Sequence, residues 1–260
     1  MVPQGPPTGQ QVRLAVVIPA YNERQNVPLV FEKVQTALDG IAHEVVFVDD
    51  DSPDGTAEAV RDLARTNPSV RLLRRIGRRG LASATIEGML STTAPVIAVM
   101  DADLQHDETL LPEMLRLLEE KDLELVIGSR NVEGGSMGNL ARERIALSNL
   151  GRRLASFVTG HHLRDPMSGF FMLRSDFLNE VVHRTSGVGF KILLDLVASA
   201  TRPVRFHEIG YQFRPRMHGT SKLDVSVALE YLYLIAAKRL GHLIPVRFTL
   251  FAIAGLAGLG

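Results

Sequence analysis

Cysteine is absent from this chain of 260 residues, and so is tryptophan. Without cysteine there are no disulfides and no thiolate metal ligands, a composition that suits a reducing compartment. Charge of one sign is not in excess either. The 29 Lys and Arg balance 29 Asp and Glu, so no net field favours nucleic acid as a partner. Glycine-rich phosphate loops are missing. Neither G-x-G-x-x-G nor G-x-x-x-x-G-K-[ST] occurs, which argues against a dinucleotide oxidoreductase and against a P-loop NTPase. No internal repeat is visible. Residues 1–12, MVPQGPPTGQQV, read as a flexible tail and not as a secretory signal.

What is present is an alternation of short apolar runs and helix-like segments. Arg13–Pro19, Glu44–Asp50, Val70–Leu73, Val96–Asp101 and Leu123–Ser129 are mostly β-branched and apolar, as central strands covered on both faces would be. Between them, Asn26–Leu38, Thr56–Thr66, Ala82–Ser91 and Thr109–Glu120 carry helical patterning. This order predicts an α/β fold with a mostly parallel sheet, and such sheets bind ligands at the carboxyl ends of their strands. Four of the five expected strands end in polar residues. The first gives PAYNE (Pro19–Glu23), the second DDDSPDGT (Asp49–Thr56), the fourth DADLQ (Asp101–Gln105) and the fifth GSR (Gly128–Arg130). Each alone has an ordinary explanation. SPDGT is a turn and helix cap, PAYNE a loop entering a helix, and a lone D-x-D most often a solvated loop. Their joint occurrence at successive strand ends points to one site.

Asp101 and Asp103 repel each other unless a cation neutralises them. Two carboxylates and the Gln105 amide are hard oxygen donors suited to Mg²⁺ or Mn²⁺, ions that take their remaining ligands from water and substrate phosphates. A metal-bound diphosphate fits this pattern, because the ion offsets charge as the bond to the leaving group breaks. The run LLRRIGRRG (Leu72–Gly80) reads as a solvated basic loop, with phosphate or lipid headgroups the alternative. RPRMHGTSK (Arg214–Lys222) reads as a polar surface loop or as a lid hinged at Gly219. His161 and His162 lack a third ligand at metal spacing and read as loop residues.

Seven stretches in order, VVIPAYNE, VDDDSPDGT, GLASATIEG, DADLQH, GSR, DPMSGFFMLR and RMHGTSKL, span residues 14–223. Together they resemble family 2 glycosyltransferases of the GT-A fold (nucleotide-diphospho-sugar transferase, Rossmann-like), and within them the polyprenol (dolichol) phosphate mannose synthases. Ala82 stands where those relatives often carry a second glycine. The resemblance implies an inverting, metal-dependent dolichyl-phosphate β-D-mannosyltransferase that moves mannose from GDP-mannose to polyprenyl (dolichyl) phosphate and releases GDP. It implies that Pro19, Tyr21 and Glu23 line the nucleotide, with Val48 and Asp50 near the guanine and ribose. Asp101, Ala102 and Asp103 hold the sugar diphosphate, and Asp101, Asp103 and Gln105 the metal. Asp103, Arg130, Arg216 and Lys222 serve the reaction centre, the last two from a loop that closes over the donor phosphates. Arg144 and Ser148, in the helix-like segment 141–159, hold the acceptor phosphate. Three other readings remain. One is a polyprenyl-phosphate glycosyltransferase using another nucleotide sugar such as UDP-glucose. Another is a non-catalytic nucleotide-sugar binding subunit. The last, a processive polysaccharide synthase, is disfavoured because its Gln-x-x-Arg-Trp motif needs a tryptophan.

The expected organisation is a tail over 1–12, a GT-A catalytic domain over 13–223, an amphipathic interfacial helix over 224–244 and the start of a truncated transmembrane segment over 245–260. Thirteen uncharged residues, Phe248–Gly260, are fewer than the ~20 that span a bilayer. Lys238, Arg239, His242 and Arg247 precede them, which suits the cytoplasmic side of a membrane. The membrane is therefore an expected partner, with the catalytic domain facing the cytosol.

Overall fold

The computed structural model describes residues 11–133, 162–187, 189 and 191–215. Arg144, Ser148, Arg216, Lys222, the expected 141–159 helix and the stretches 224–244 and 245–260 lie outside the described residues. In order, the elements are β1 (Leu14–Ala20), α1 (Asn26–Ala37), β2 (His43–Asp49), α2 (Thr56–Thr66), β3 (Val70–Arg74), α3 (Leu81–Leu90) and β4 (Val96–Val99). A short 3-10 turn (Glu108–Leu110) then leads into α4 (Leu111–Glu120), followed by β5 (Leu125–Ser129), β6 (Phe171–Arg174), α5 (Ser175–Val181), α6 (Ile192–Ser199) and β7 (Phe206–Gly210).

The seven strands form one sheet in the order β3-β2-β1-β4-β6-β5-β7. β1 pairs in parallel with β2 and β4, β2 with β3, and β5 with β7. Only β6 runs the other way, antiparallel to both β4 and β5. The mostly parallel sheet matches the expectation, while β6 and β7 are additions to it. The fourth strand also ends earlier than its apolar run suggests. Met100 N–H still donates to the Val17 carbonyl at 3.2 Å, and the chain then leaves the ladder at the two aspartates.

Apolar side chains alternate across the sheet because successive residues of a strand face opposite ways. Leu14, Val16 and Ile18 of β1 join Val45 and Phe47 under α1 and α4, where Val27, Val30, Phe31, Val34, Met114 and Leu118 are buried. Val17 instead joins Val46, Val48, Ile97 and Val99 on the opposite face, under α3, α5 and α6. Each fully buried Val or Leu contributes about 1.5–3 kcal/mol, and both layers depend on the period-two pattern. This two-sided burial explains why the strands read as unbroken apolar runs.

The strand order reverses between β1 and β4. β2 and β3 extend the sheet from one side of β1, and β4 starts the other side. Ligand sites in open α/β sheets sit at such a switch point, beyond the carboxyl ends of the strands. Here those ends carry Tyr21–Glu23 and Asp101–Gln105.

α3 can lie close to the sheet only because residue 88 is glycine. A Cβ there would come within 2.5 Å of Val17 Cγ1 and 2.7 Å of Val48 Cγ2. Gly88→Ala is expected to destabilise the fold by about 1–3 kcal/mol through overpacking, although alanine favours helix. A thermal melt checks this; an unchanged or higher midpoint would contradict the packing.

Candidate active site

The loops after β1 and β2 are sewn together by the SPDGT residues. Asn22 N–H donates to Ser52 Oγ (2.9 Å), Glu23 N–H to Thr56 Oγ1 (3.0 Å) and Arg24 N–H to Asp54 Oδ2 (3.1 Å). Asp54 Oδ1 also accepts the Thr56 N–H at 3.0 Å and its hydroxyl at 2.6 Å, which fixes the start of α2. Burial alone would raise the Asp54 pKa, but these donors outweigh it and hold the carboxyl below the usual range. The expected turn is therefore present and also shapes the β1 loop, whereas the N-cap position falls on Gly55, which makes no side-chain cap, and Asp54 just before it serves the start of α2.

Several expected residues sit in this wall in a different way from the sequence reading. Tyr21 carries the Arg79 guanidinium over its ring, 4.6 Å from the centroid. Glu23 accepts from Asn26 Nδ2 at 2.6 Å. Pro19 is buried within β1. Val48 is fully buried with its side chain packed towards α3, and Ala102 is 2% exposed in the opposite core layer. Their side chains do not line the cleft, so contact with a ligand would have to come from their main chain. Asp50 binds Arg75 and accepts the Gly80 N–H at 2.7 Å. Arg75 is only 2% exposed and also donates to Ser83 Oγ (2.7 Å) and the Gly80 carbonyl (3.2 Å). Within LLRRIGRRG, Arg74 and residues 76–80 are exposed, as expected of a solvated loop. Arg75 is the exception, a buried brace, because Asp50, 25 positions earlier in the sequence, supplies its counter-charge.

The carboxylate loop follows β4. Asp103 is 6% exposed and accepts the Gln105 N–H at 3.2 Å, whereas the Asp101 side chain is 38% exposed. Asp101 Oδ2 lies 3.1 Å from His106 Nε2, and His106 Nδ1 lies 2.9 Å from the Tyr211 hydroxyl. The Asp101 carboxylate can only accept, so His106 Nε2 donates to it, and the partner of Nδ1 is the Tyr211 phenol, whose pKa burial raises far above its ordinary value. The imidazole stacks on Phe170 with centroids 5.3 Å apart. Gly169 passes so close to the loop that a Cβ there would meet Asp101 Oδ2 at 2.9 Å. Asn22, Asp51 and Leu104, one in each of these loops, have φ of 60°, 56° and 64°. Left-handed backbone in non-glycine residues costs of order 1–3 kcal/mol each and concentrates at functional sites.

Arg130, after β5, reaches the same edge but is held by Asp165. Its Nε and Nη2 donate to the two carboxylate oxygens at 2.8 and 2.9 Å, and its own N–H donates to Oδ2 at 3.0 Å. Burial disfavours the Arg130 charge, yet the Asp165 bonds more than compensate and raise its pKa. The guanidinium also lies 5.2 Å from the Phe213 centroid. Asp165 is a site residue that the sequence reading passes over, although DPMSGFFMLR begins with it. His106 and Tyr211 are likewise missed, although DADLQH contains the first.

Among the described residues no group of three or more His, Cys, Asp or Glu is placed to hold a metal ion. The fitting donor set is two carboxylates and an amide, with Asp101 backed by a histidine. That set suits a hard divalent cation that keeps most of its water and phosphate ligands.

The model for glycosyl transferase family 2 matches residues 15–182. The chain belongs to this family. Among its curated relatives, the dolichol-phosphate mannosyltransferase of Pyrococcus furiosus is 34% identical over 252 residues, covering 95% of this chain and 70% of the relative. The dolichol-phosphate mannosyltransferase of Saccharomyces cerevisiae is 34% identical over 230 residues, covering 85% of each. A solved structure of glucosyl-3-phosphoglycerate synthase from Mycobacterium tuberculosis, in complex with Mn²⁺, UDP and phosphoglyceric acid, superimposes with a TM-score of 0.64 at 17% identity. It covers 86% of this chain and 78% of the other, and at that identity it establishes the shared GT-A fold. In this family 2 glycosyltransferase the Arg130–Asp165 pair has a measurable signature. Asp165→Asn is expected to cost about 3 kcal/mol by stranding a buried guanidinium. That is a fall of roughly 6–12 °C in melting temperature. The double variant Arg130→Leu/Asp165→Leu should recover a substantial part of it; equal losses in both would show that the charge pair is not the reason.

Proposed function

We propose that this glycosyltransferase moves mannose from GDP-mannose to polyprenyl (dolichyl) phosphate, inverting the anomeric configuration and releasing GDP. The observation that carries the reading is the carboxylate loop at the β1/β4 switch point, in a chain whose curated relatives are named dolichol-phosphate mannosyltransferases. Asp101, Asp103 and Gln105 would hold Mg²⁺ or Mn²⁺, consistent with the Mn²⁺ and UDP in the Mycobacterium tuberculosis structure. The cation, when bound, supplies charge neutralisation for the leaving diphosphate.

The protein's own part is alignment. The β1 and β2 loops, with Tyr21, Glu23 and Asp50, form the nucleotide side of the cleft. The chain from Tyr211 through His106 holds Asp101 by its Oδ2. An acceptor that is a phosphate monoester is already ionised near neutral pH, so no general base has to remove a proton from it. The residues need only place its oxygen in line with the diphosphate and screen the repulsion between the two anions. Arg216 and Lys222 on the donor phosphates, and Arg144 and Ser148 on the acceptor phosphate, are part of this proposal through the family resemblance. No helix among the described residues is long and apolar enough to cross a membrane. The association with the cytoplasmic face of a membrane rests on the basic residues before Phe248–Gly260.

A panel of GDP-mannose, UDP-glucose and other nucleotide sugars, offered with polyprenyl phosphate and with or without Mg²⁺ or Mn²⁺, tests the reading. The expected outcome is β-linked polyprenyl phosphate mannose and GDP in equal amounts, only with GDP-mannose and metal, with chelator or Asp103→Asn reducing transfer to background. Transfer from another nucleotide sugar at a matching rate would overturn the donor assignment. Equal transfer to a simple sugar would overturn the acceptor assignment.

A further inference from the structure

The contacts that Tyr211 and Arg214, in the segment after β7, make with the carboxylate loop fall on four consecutive residues, Gln105 to Glu108. Tyr211 N–H donates to the Ser129 carbonyl at 3.1 Å, so the segment leaves the sheet with its first residue still fixed to β5. Its hydroxyl then reaches His106 Nδ1 at 2.9 Å. Three residues on, Arg214 N–H donates to the Gln105 carbonyl at 3.0 Å, and Gln105 Nε2 donates back to the Arg214 carbonyl at 3.0 Å. The Arg214 guanidinium binds the His106 carbonyl (3.2 Å), Asp107 Oδ1 (2.7 Å) and Glu108 Oε2 (2.6 Å). Lys33 of α1 holds the other oxygen of Glu108 at 3.2 Å.

We propose that Tyr211 and Arg214 are positioning residues that set the metal-binding geometry of the Asp101–Gln105 loop, the first through His106 and the second through Gln105. The inference rests on the reading of Asp101, Asp103 and Gln105 as metal ligands and deepens it. Gln105 can donate to a carbonyl only through its amide nitrogen, so that bond fixes which end of the amide is turned away from the strap. The end turned away is the oxygen, the atom a hard cation would take. His106 fixes one oxygen of Asp101 in the same manner, as hydrogen-bonded partners of metal-binding carboxylates do. A strap that served stability alone would not need to engage the side chain of each exposed donor. Gln105 is engaged directly by Arg214, and Asp101 through His106, which Tyr211 holds in turn.

The test is Mn²⁺ binding to the full chain in the presence of GDP, followed by electron paramagnetic resonance of the free ion, alongside metal-free melting temperatures. Tyr211→Phe is expected to weaken Mn²⁺ about tenfold, the usual cost of losing an outer partner. Arg214→Gln keeps the main-chain bonds to Gln105 but removes the guanidinium that anchors them to His106, Asp107 and Glu108, and is expected to weaken Mn²⁺ as well. Arg214→Lys, which keeps the charge for Asp107 and Glu108 but loses the planar donor set, should fall between Arg214→Gln and the parent. GDP affinity without metal should stay unchanged in all three. Tyr211→Phe keeps the ring between Phe170 and Phe213 and so carries the test if Arg214→Gln folds poorly. Melting temperatures that fall while Mn²⁺ affinity stays within twofold of the parent would overturn the positioning role, provided Asp103→Asn loses the metal. If Asp103→Asn binds Mn²⁺ as the parent does, the metal reading itself fails and the positioning role fails with it.

Discussion

Two carboxylates one residue apart at the end of a buried strand repel each other, and the surroundings of the site are arranged around that repulsion. The cleft edge contributes no bulk against Asp101, because residue 169 is glycine. His106 takes one of its oxygens, and the Gln105 N–H donates to Asp103. Leu104, directly after the pair, accepts a left-handed backbone although its side chain is buried. None of these contacts cancels the negative charge of the pair. They direct it, and under the proposed function the remaining field is what would draw a divalent cation and the diphosphate that comes with it.

Several positive charges at the same edge follow the opposite rule and are matched by carboxylates within the protein, while Arg79 lies over the Tyr21 ring. Arg75 meets Asp50, Arg130 meets Asp165, Arg74 meets Asp51, and Arg214 meets Asp107 and Glu108. Such pairs contribute position more than net charge, because burying an ion offsets much of its attraction to a partner. Arginine suits this use, since its planar donors fix an angle as well as a distance. The cleft described here is thus framed by paired arginines around the two aspartates. The cations expected to meet the phosphates, Arg144, Arg216 and Lys222, belong to other parts of the chain.

β1, β2, β4 and β5 are legible in the sequence because two-sided burial leaves apolar runs, of which LAVVIPA is the clearest, while β3 is legible as VRLL although it is only partly buried. β7 is not, because it forms an edge with His207 exposed and the rest only half-buried, so FHEIG shows no such run. β6 is four residues long, and its apolar letters merge with those of the preceding motif. At the site, the carboxylate pair and the β1 and β2 loops are legible from local chemistry. Arg75 and Asp165 are not, since their character depends on partners 25 and 35 positions away, which no local pattern records. Val48 and Ala102 show the converse: a residue can sit beside a site in sequence and still turn its side chain into the core.

The antiparallel strand has a consequence for how the chain is made. β1, β2, β3 and β4 can pair as soon as residue 99 is available, since each contacts only its parallel neighbours within that stretch. β5 cannot join them, because β6 lies between it and β4. During vectorial synthesis Leu125–Ser129 therefore waits with both backbone edges unpaired until the residues up to Arg174 have emerged, and one edge stays open until β7 arrives. At the ~5–20 residues per second of translation this is an interval of several seconds. An apolar strand with two open edges is a template for pairing with other chains. The wedge that brings Asp165, Gly169 and Phe170 to the carboxylates also makes the second half of the sheet the last part to be protected.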